Sequence, residues 1–145
     1  MAGELRWKAT GARAQSSKFT FLYRRADMKI LVVDDEKNIL KLYQVELEDE
    51  GYTVVTANSG KEGLEVFERE NPDIVTLDIL MPDLDGIQVL RLMKEKRPNV
   101  PIIMLTAYDY RDDFSVWVSD AYVVKSSDLT NLKATIKQLI KKTTA

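Results

Sequence analysis

What most constrains this chain is the alternation, from Lys29 to Lys142, of short apolar runs rich in β-branched residues with longer stretches of helical periodicity. Ile30-Leu31-Val32-Val33 is apolar throughout, as a strand buried on both faces must be. Ile39, Leu40, Tyr43 and Leu47 then recur on one helix face until Gly51, a helix terminator. Thr53 to Ala57 predicts a second strand, followed by a helix that starts near Ser59, carries Leu64, Val66 and Phe67, and ends before Pro72. Ile74 to Leu77 predicts a third strand. Ile87, Val89, Leu90 and Met93 mark a helix that stops near Arg97-Pro98, with a fourth strand at Ile102 to Leu105 and a fifth at Ala121 to Val124. In the last helix Leu129, Leu132, Ile136, Leu139 and Ile140 share one side, with Lys133, Lys137 and Lys141 on another. Strands separated by helices pair in parallel through right-handed crossovers, because hairpins cannot join parallel neighbours. The predicted fold class is α/β: a doubly wound, five-stranded parallel sheet flanked by helices.

A length of 145 residues accommodates one core. Residues 1–27 read as a basic, poorly ordered extension: Arg6, Lys8, Arg13, Lys18, Arg24 and Arg25 face only Glu4 and Asp27, without sustained apolar periodicity. Met28-Lys29-Ile30 opens the first strand as a natural start would, so the folded domain is placed at 28–145 and the extension is assigned to an upstream start. The competing reading of that extension is a basic arm that touches a partner or nucleic acid. No apolar run approaches the roughly 20 residues a membrane span needs, and the expected location is cytoplasmic. A net charge of −2 gives no general affinity for nucleic acid.

The chain has no histidine and no cysteine, which removes imidazole bases, thiolate nucleophiles and ordinary zinc sites. Carboxylates, lysine, hydroxyls and backbone must carry any chemistry. Oxygen ligands select hard cations, so a metal site here would take Mg²⁺ or Mn²⁺.

In a parallel sheet every strand finishes at the same edge, and residues that follow the strands converge there. Asp34-Asp35 follow the first strand, Asp78 the third, Thr106 the fourth and Lys125 the fifth. Three carboxylates at one rim repel each other unless a cation offsets the charge. A divalent ion held by Asp34 and Asp35 leaves an Asp78 oxygen as nucleophile, with Lys125 and Thr106 placed to contact the oxygens of a transferred phosphoryl group. Each residue also has a plain alternative. Asp34 or Asp35 could cap the first helix, Asp78 could open a loop, Thr106 could sit in a turn and Lys125 could be a solvated charge.

The stretches Val32-Val33-Asp34-Asp35-Glu36, Leu77-Asp78-Ile79-Leu80-Met81-Pro82-Asp83-Leu84-Asp85-Gly86, Leu105-Thr106-Ala107 and Tyr122-Val123-Val124-Lys125 resemble the response-regulator receiver family of two-component signalling. The likeness covers about Lys29 to Lys142 and points to a chemotaxis-regulator-like single-domain receiver with a flavodoxin-like sheet. The resemblance implies Asp78 as phosphoacceptor, Asp34 and Asp35 as metal-binding acids and the Leu80 backbone carbonyl as a further ligand. It implies Thr106 and Tyr122 as a switch pair that remodels the surface of the fourth helix, fifth strand and fifth helix; the plain alternative for Tyr122 is a half-buried strand aromatic. Implied partners are a sensor histidine kinase or phosphotransfer protein and an unnamed output protein, with a monomer or phosphorylation-linked dimer as the assembly and no membrane or nucleic acid bound.

Two features depart from the family pattern. Ser126 and Ser127 follow Lys125 where a cis proline is usual, so a trans loop is expected, with Ser126 or Ser127 capping the last helix and Asp128 in its first turn. The stretch from Thr106 to Tyr122 is about one helical turn short and carries Phe114, Trp117 and Val118 at helical spacing, read as packing rather than as a partner anchor. These departures motivate an alternative, a receiver-like interaction module that works without phosphorylation. The chain is expected to assist its own phosphorylation and dephosphorylation rather than act as an enzyme on other molecules. A phosphohydrolase is disfavoured because Leu80, not an acid, lies two residues beyond Asp78, and nucleotide binding because no Gly-rich loop follows the first strand. With no length for an output domain after Lys142, a stand-alone protein is expected.

Overall fold

A computed structural model describes residues 27–107, 119–126 and 128–144. Residues 1–26, the predicted helix with Phe114, Trp117 and Val118, and Ser127 lie outside the described residues. The elements run β1 (Lys29–Val33), α1 (Lys37–Asp49), β2 (Thr53–Ala57), α2 (Gly60–Glu70), β3 (Ile74–Asp78), α3 (Gly86–Lys96), β4 (Ile102–Thr106), β5 (Ala121–Val124) and α4 (Thr130–Thr144). All pairings are parallel and the strand order is β2-β1-β3-β4-β5. The predicted five-stranded parallel sheet is therefore present.

Alternation along the strands divides the core into two layers, because successive side chains leave opposite faces of a sheet. Ile30, Val32, Ile74, Ile103 and Leu105 pack with Leu40, Tyr43 and Leu47 of α1 and Leu132, Ile136 and Leu139 of α4. Leu31, Val33, Val75, Leu77, Ile102 and Met104 pack on the other face with Val66 and Phe67 of α2 and Val89, Leu90 and Met93 of α3. The chain leaves β1 toward β2 and then returns across it to β3, so β1 and β3 are neighbours whose following segments diverge. Such a reversal opens a crevice at the carboxyl edge, and Asp34 and Asp78 stand there.

The helix ends follow local chemistry. Ser59 Oγ accepts the Glu62 amide at 3.0 Å and starts α2 where predicted. Gly51, at φ 100°, takes the left-handed turn that ends α1. The last helix corrects the expectation for Ser126: its Oγ accepts the Asp128 amide at 3.1 Å, and Asp128 Oδ1 accepts the Thr130 amide at 3.0 Å at the start of α4. A carboxylate suits that position better than a hydroxyl because it also meets the positive end of the helix dipole. Leu129, assigned to the helix by periodicity, is a buried residue just before it. Lys94 Nζ donates to Asp120 Oδ2 (2.6 Å), which also accepts the Ile102 amide (2.8 Å), and this fixes where β5 begins beside β4.

Gly86 has no room for a side chain: a Cβ there would lie 2.1 Å from the Asp78 carbonyl oxygen and 2.7 Å from Ile79 Cα, both backbone atoms. At Gly63 a Cβ would meet only the Val33 methyl groups, at 3.1 Å. Gly86→Ala is therefore expected to lower the unfolding free energy by about 2 kcal/mol or more. Gly63→Ala should change it by less than about 1 kcal/mol, since a better helix former offsets a side-chain shift. Urea denaturation of the two variants checks the order, and equal losses would contradict it.

Candidate acid pocket at the sheet edge

Four strand ends meet to form the pocket. Asp34 follows β1; its amide donates to the Ala57 carbonyl (3.1 Å) and its Oδ1 accepts the Glu36 amide (2.9 Å). That local turn aims the carboxylate across the sheet edge. The capping alternative fails for Asp34, because the residue that precedes α1 is Glu36, with no side-chain cap. Asp78 is the last residue of β3, 5% exposed, and Thr106 the last of β4, 1% exposed, so neither belongs to a solvated turn. Beyond β3 the chain is closed by Ile79 donating to the Leu105 carbonyl (3.2 Å) and Gly86 donating to the Ile79 carbonyl (2.8 Å). Leu80 sits in that loop with its side chain exposed.

Lys125 arrives from β5, its amide donating to the Thr106 carbonyl at 2.6 Å. Its ammonium lies 2.7 Å from Asp34 Oδ2 and 3.3 Å from Asp78 Oδ2. The missing proline therefore does not remove the lysine from the acids, and among the described residues no peptide is cis. Asp35 remains exposed, yet Asp34, Asp35 and Asp78 each offer an oxygen within 4.8 Å of the others. Tyr122 pairs with Met104, two residues before Thr106 on the same sheet face, and packs half-buried against the α2–α3 layer.

Charge dominates the pocket. Burial, then the neighbouring Asp34 charge, push the Asp78 carboxyl up to about 6, against the attraction of Lys125. Burial works against the Lys125 ammonium, but its contacts with Asp34 and Asp78 outweigh burial and hold it above the usual lysine range. Tyr43, read from periodicity as a plain core residue, feels the same fields. Burial raises its phenol, with Lys125 opposing and Asp34 and Asp78 adding. No sequence signal separated it from Leu40 and Leu47, because helical spacing reports a face and not the charges beneath it.

The donor set fits a hard divalent cation. All three side chains offer oxygen, and Asp34 Oδ2, buried and paired with the Lys125 ammonium at 2.7 Å, accepts no further hydrogen bond among the described residues. Such an oxygen keeps coordination capacity that a hard ion can use.

A carboxyl raised in the fold is a burden once it ionises. Below pH about 4 Asp78 is protonated in both folded and unfolded chains. Between about 4 and 6 the unfolded chain releases its proton first, so stability falls as pH rises, and above about 6 the deficit is constant. In chelator, Asp78→Asn is expected to be more stable than the wild type at pH 7 by about 1 to 3 kcal/mol and to match it near pH 4. Denaturation at the two pH values measures this, and a neutral or destabilising effect at pH 7 would refute it.

Comparison with known proteins agrees with this geometry. Residues 30–137 match the family model described as the response regulator receiver domain. The response regulator protein TrrA from Thermotoga maritima, solved in complex with Mg²⁺-BeF, is 47% identical, covering 77% of this chain and 98% of that one at a TM-score of 0.75. In a crystal structure of histidine kinase ThkA with TrrA, the matched chain is again 47% identical, covering 77% of this chain and 97% of that one at a TM-score of 0.73. The alkaline phosphatase synthesis transcriptional regulatory protein PhoP from Bacillus subtilis is 39% identical over 117 residues, 79% of this chain and 49% of that protein. The chain thus spans about half the length of the curated relatives it matches. Among the described residues no helix is long and apolar enough to cross a membrane. With two buried acids, a third acid and one ammonium gathered at the switch point of a five-stranded parallel sheet, this chain belongs to the response regulator receiver domain family.

Proposed function

We propose that the folded domain, 28–145, accepts a phosphoryl group on Asp78 with Mg²⁺ bound by Asp34, Asp35, Asp78 and the Leu80 carbonyl. The donor is a phosphohistidine on a sensor kinase or phosphotransfer protein, a class of partner named in the solved complex of TrrA with histidine kinase ThkA. The observation that carries this reading is the excess of negative charge: three carboxylates offer oxygens within 4.8 Å of one another, and the Lys125 ammonium contacts two of them, Asp34 and Asp78. A divalent ion bound there supplies charge neutralisation and orients phosphoryl oxygens.

The chain's own groups account for the rest. Asp78 needs its ionised form to attack phosphorus. Its oxygen forms the new P–O bond while the bond from phosphorus to the donor nitrogen breaks, and that nitrogen keeps the electron pair. Lys125, held between Asp34 and Asp78, is placed to follow the negative charge onto the phosphoryl group, and the Thr106 hydroxyl to donate to a phosphoryl oxygen. Two acids remain beside a new dianionic group, so the electrostatic balance of the edge changes. We read Thr106 and Tyr122, on one sheet face, as the pair that converts this change into repacking around β5, α4 and the segment joining β4 to β5. Exposed Val124 belongs to that surface.

Acetyl phosphate with Mg²⁺ is expected to add one phosphoryl group to the intact protein, and chelator or Asp78→Asn to abolish the addition. Intact-mass spectrometry reads both. A wild-type mass unchanged under saturating donor would overturn the reading and favour an interaction module that works without phosphorylation.

A further inference from the structure

The loop that follows Asp78 is fastened to a helix that contributes nothing else to the pocket. Asp83 Oδ1 accepts the Gly60 amide at 3.0 Å and Asp83 Oδ2 the Lys61 amide at 2.9 Å, across 23 and 22 residues of sequence. These are the first two amides of α2. The following two are served by the helix's own chain: Glu62 donates to Ser59 Oγ (3.0 Å) and Gly63 to the Ser59 carbonyl (2.8 Å). Glu62 Oε1 accepts the Asn58 amide at 2.6 Å, one residue before the N-cap. Ser59 thus serves two of the four N-terminal amides of α2 from the helix's own chain, and the Asp83 carboxylate serves the other two from outside.

The contact is close over more than one side chain. A Cβ at position 60 would lie 2.8 Å from Leu84 Cβ and 3.0 Å from Val89 Cγ2, so the helix start and the loop leave no gap between them. The backbone bonds to Asp83 hold its carboxyl below the ordinary aspartate range, as a carboxylate that accepts two amides at a helix N-terminus should be held. At its far end the loop is shut by Gly86 against Ile79. Between these fixed points stands exposed Leu80.

We propose that Asp83 is a positioning residue for the acid pocket: by clasping Gly60 and Lys61 it fixes the loop after Asp78, so that the Leu80 carbonyl is presented with Asp34 and Asp78 to the divalent ion. This rests on the metal site assigned under Proposed function. The competing role is a cap that stabilises α2 and nothing more. Ser59→Ala separates the two, because it removes a cap from the same helix end without touching the loop.

Calorimetric titration with Mg²⁺ and amide hydrogen exchange on the intact chain test the proposal. Asp83→Ala is expected to weaken Mg²⁺ binding by about tenfold, the scale at which groups that orient metal ligands act, and to speed exchange of amides 79–86. Ser59→Ala should lower the melting midpoint yet leave Mg²⁺ affinity and that exchange unchanged. Asp83→Asn, which keeps one acceptor, should fall between wild type and alanine and serves if the alanine variant does not fold. Unchanged affinity in the Asp83 variants overturns the proposal, as does an equal loss in Ser59→Ala. A wild type that takes up no Mg²⁺ overturns the metal site and this inference together, a result distinct from either of the others.

Discussion

The contact of Lys125 with Asp34 and Asp78 is the interaction around which the edge of this sheet is organised. Two carboxylates buried side by side would repel each other at considerable cost, and a single ammonium at 2.7 and 3.3 Å offsets part of it. The cost of ionising Asp78 is not fully offset: burial first, and then the Asp34 charge, push its carboxyl up to about 6. An edge that is stable yet undercompensated is suited to taking up positive charge and then to responding when one carboxylate is esterified.

Sheet topology makes that arrangement possible. Asp34, Asp78 and Lys125 are separated by whole β-α units, yet parallel pairing brings their strands to a common rim. The buried layers on both faces fix the register, and a shift of one residue would turn each of these side chains to the wrong face. Gly86 shows how tightly the rim is built. Its missing side chain lets the α3 start lie against the Asp78 carbonyl, which closes the loop that borders the pocket.

Much of this was legible in the sequence. The strands follow from short runs rich in apolar and β-branched residues, and placing Asp34, Asp78, Thr106 and Lys125 at the ends of those runs was enough to bring them to one edge. What was not legible depended on distance or competition between neighbours. Asp128 rather than Ser126 serves the start of α4, a choice between adjacent cap-forming residues that composition leaves open. Tyr43 looked like its apolar helix neighbours, and its place in the field of Lys125, Asp34 and Asp78 needed three dimensions. The Asp83 clasp spans more than twenty residues, beyond any local pattern.

The proposed phosphoryl acceptance requires Asp34, Asp35 and Asp78 to hold one divalent ion jointly. Titration of isotopically labelled protein with Mn²⁺ reads this out, because broadening by a paramagnetic ion falls off steeply with distance and so marks the amides nearest the ion. Broadening is expected first at residues 34, 35, 78 and 80, with saturation at one ion per chain and displacement by excess Mg²⁺. Broadening centred on other acids, such as Glu46 on α1 and Glu50 just after it, or spread evenly over the acidic surface, would rule out that site.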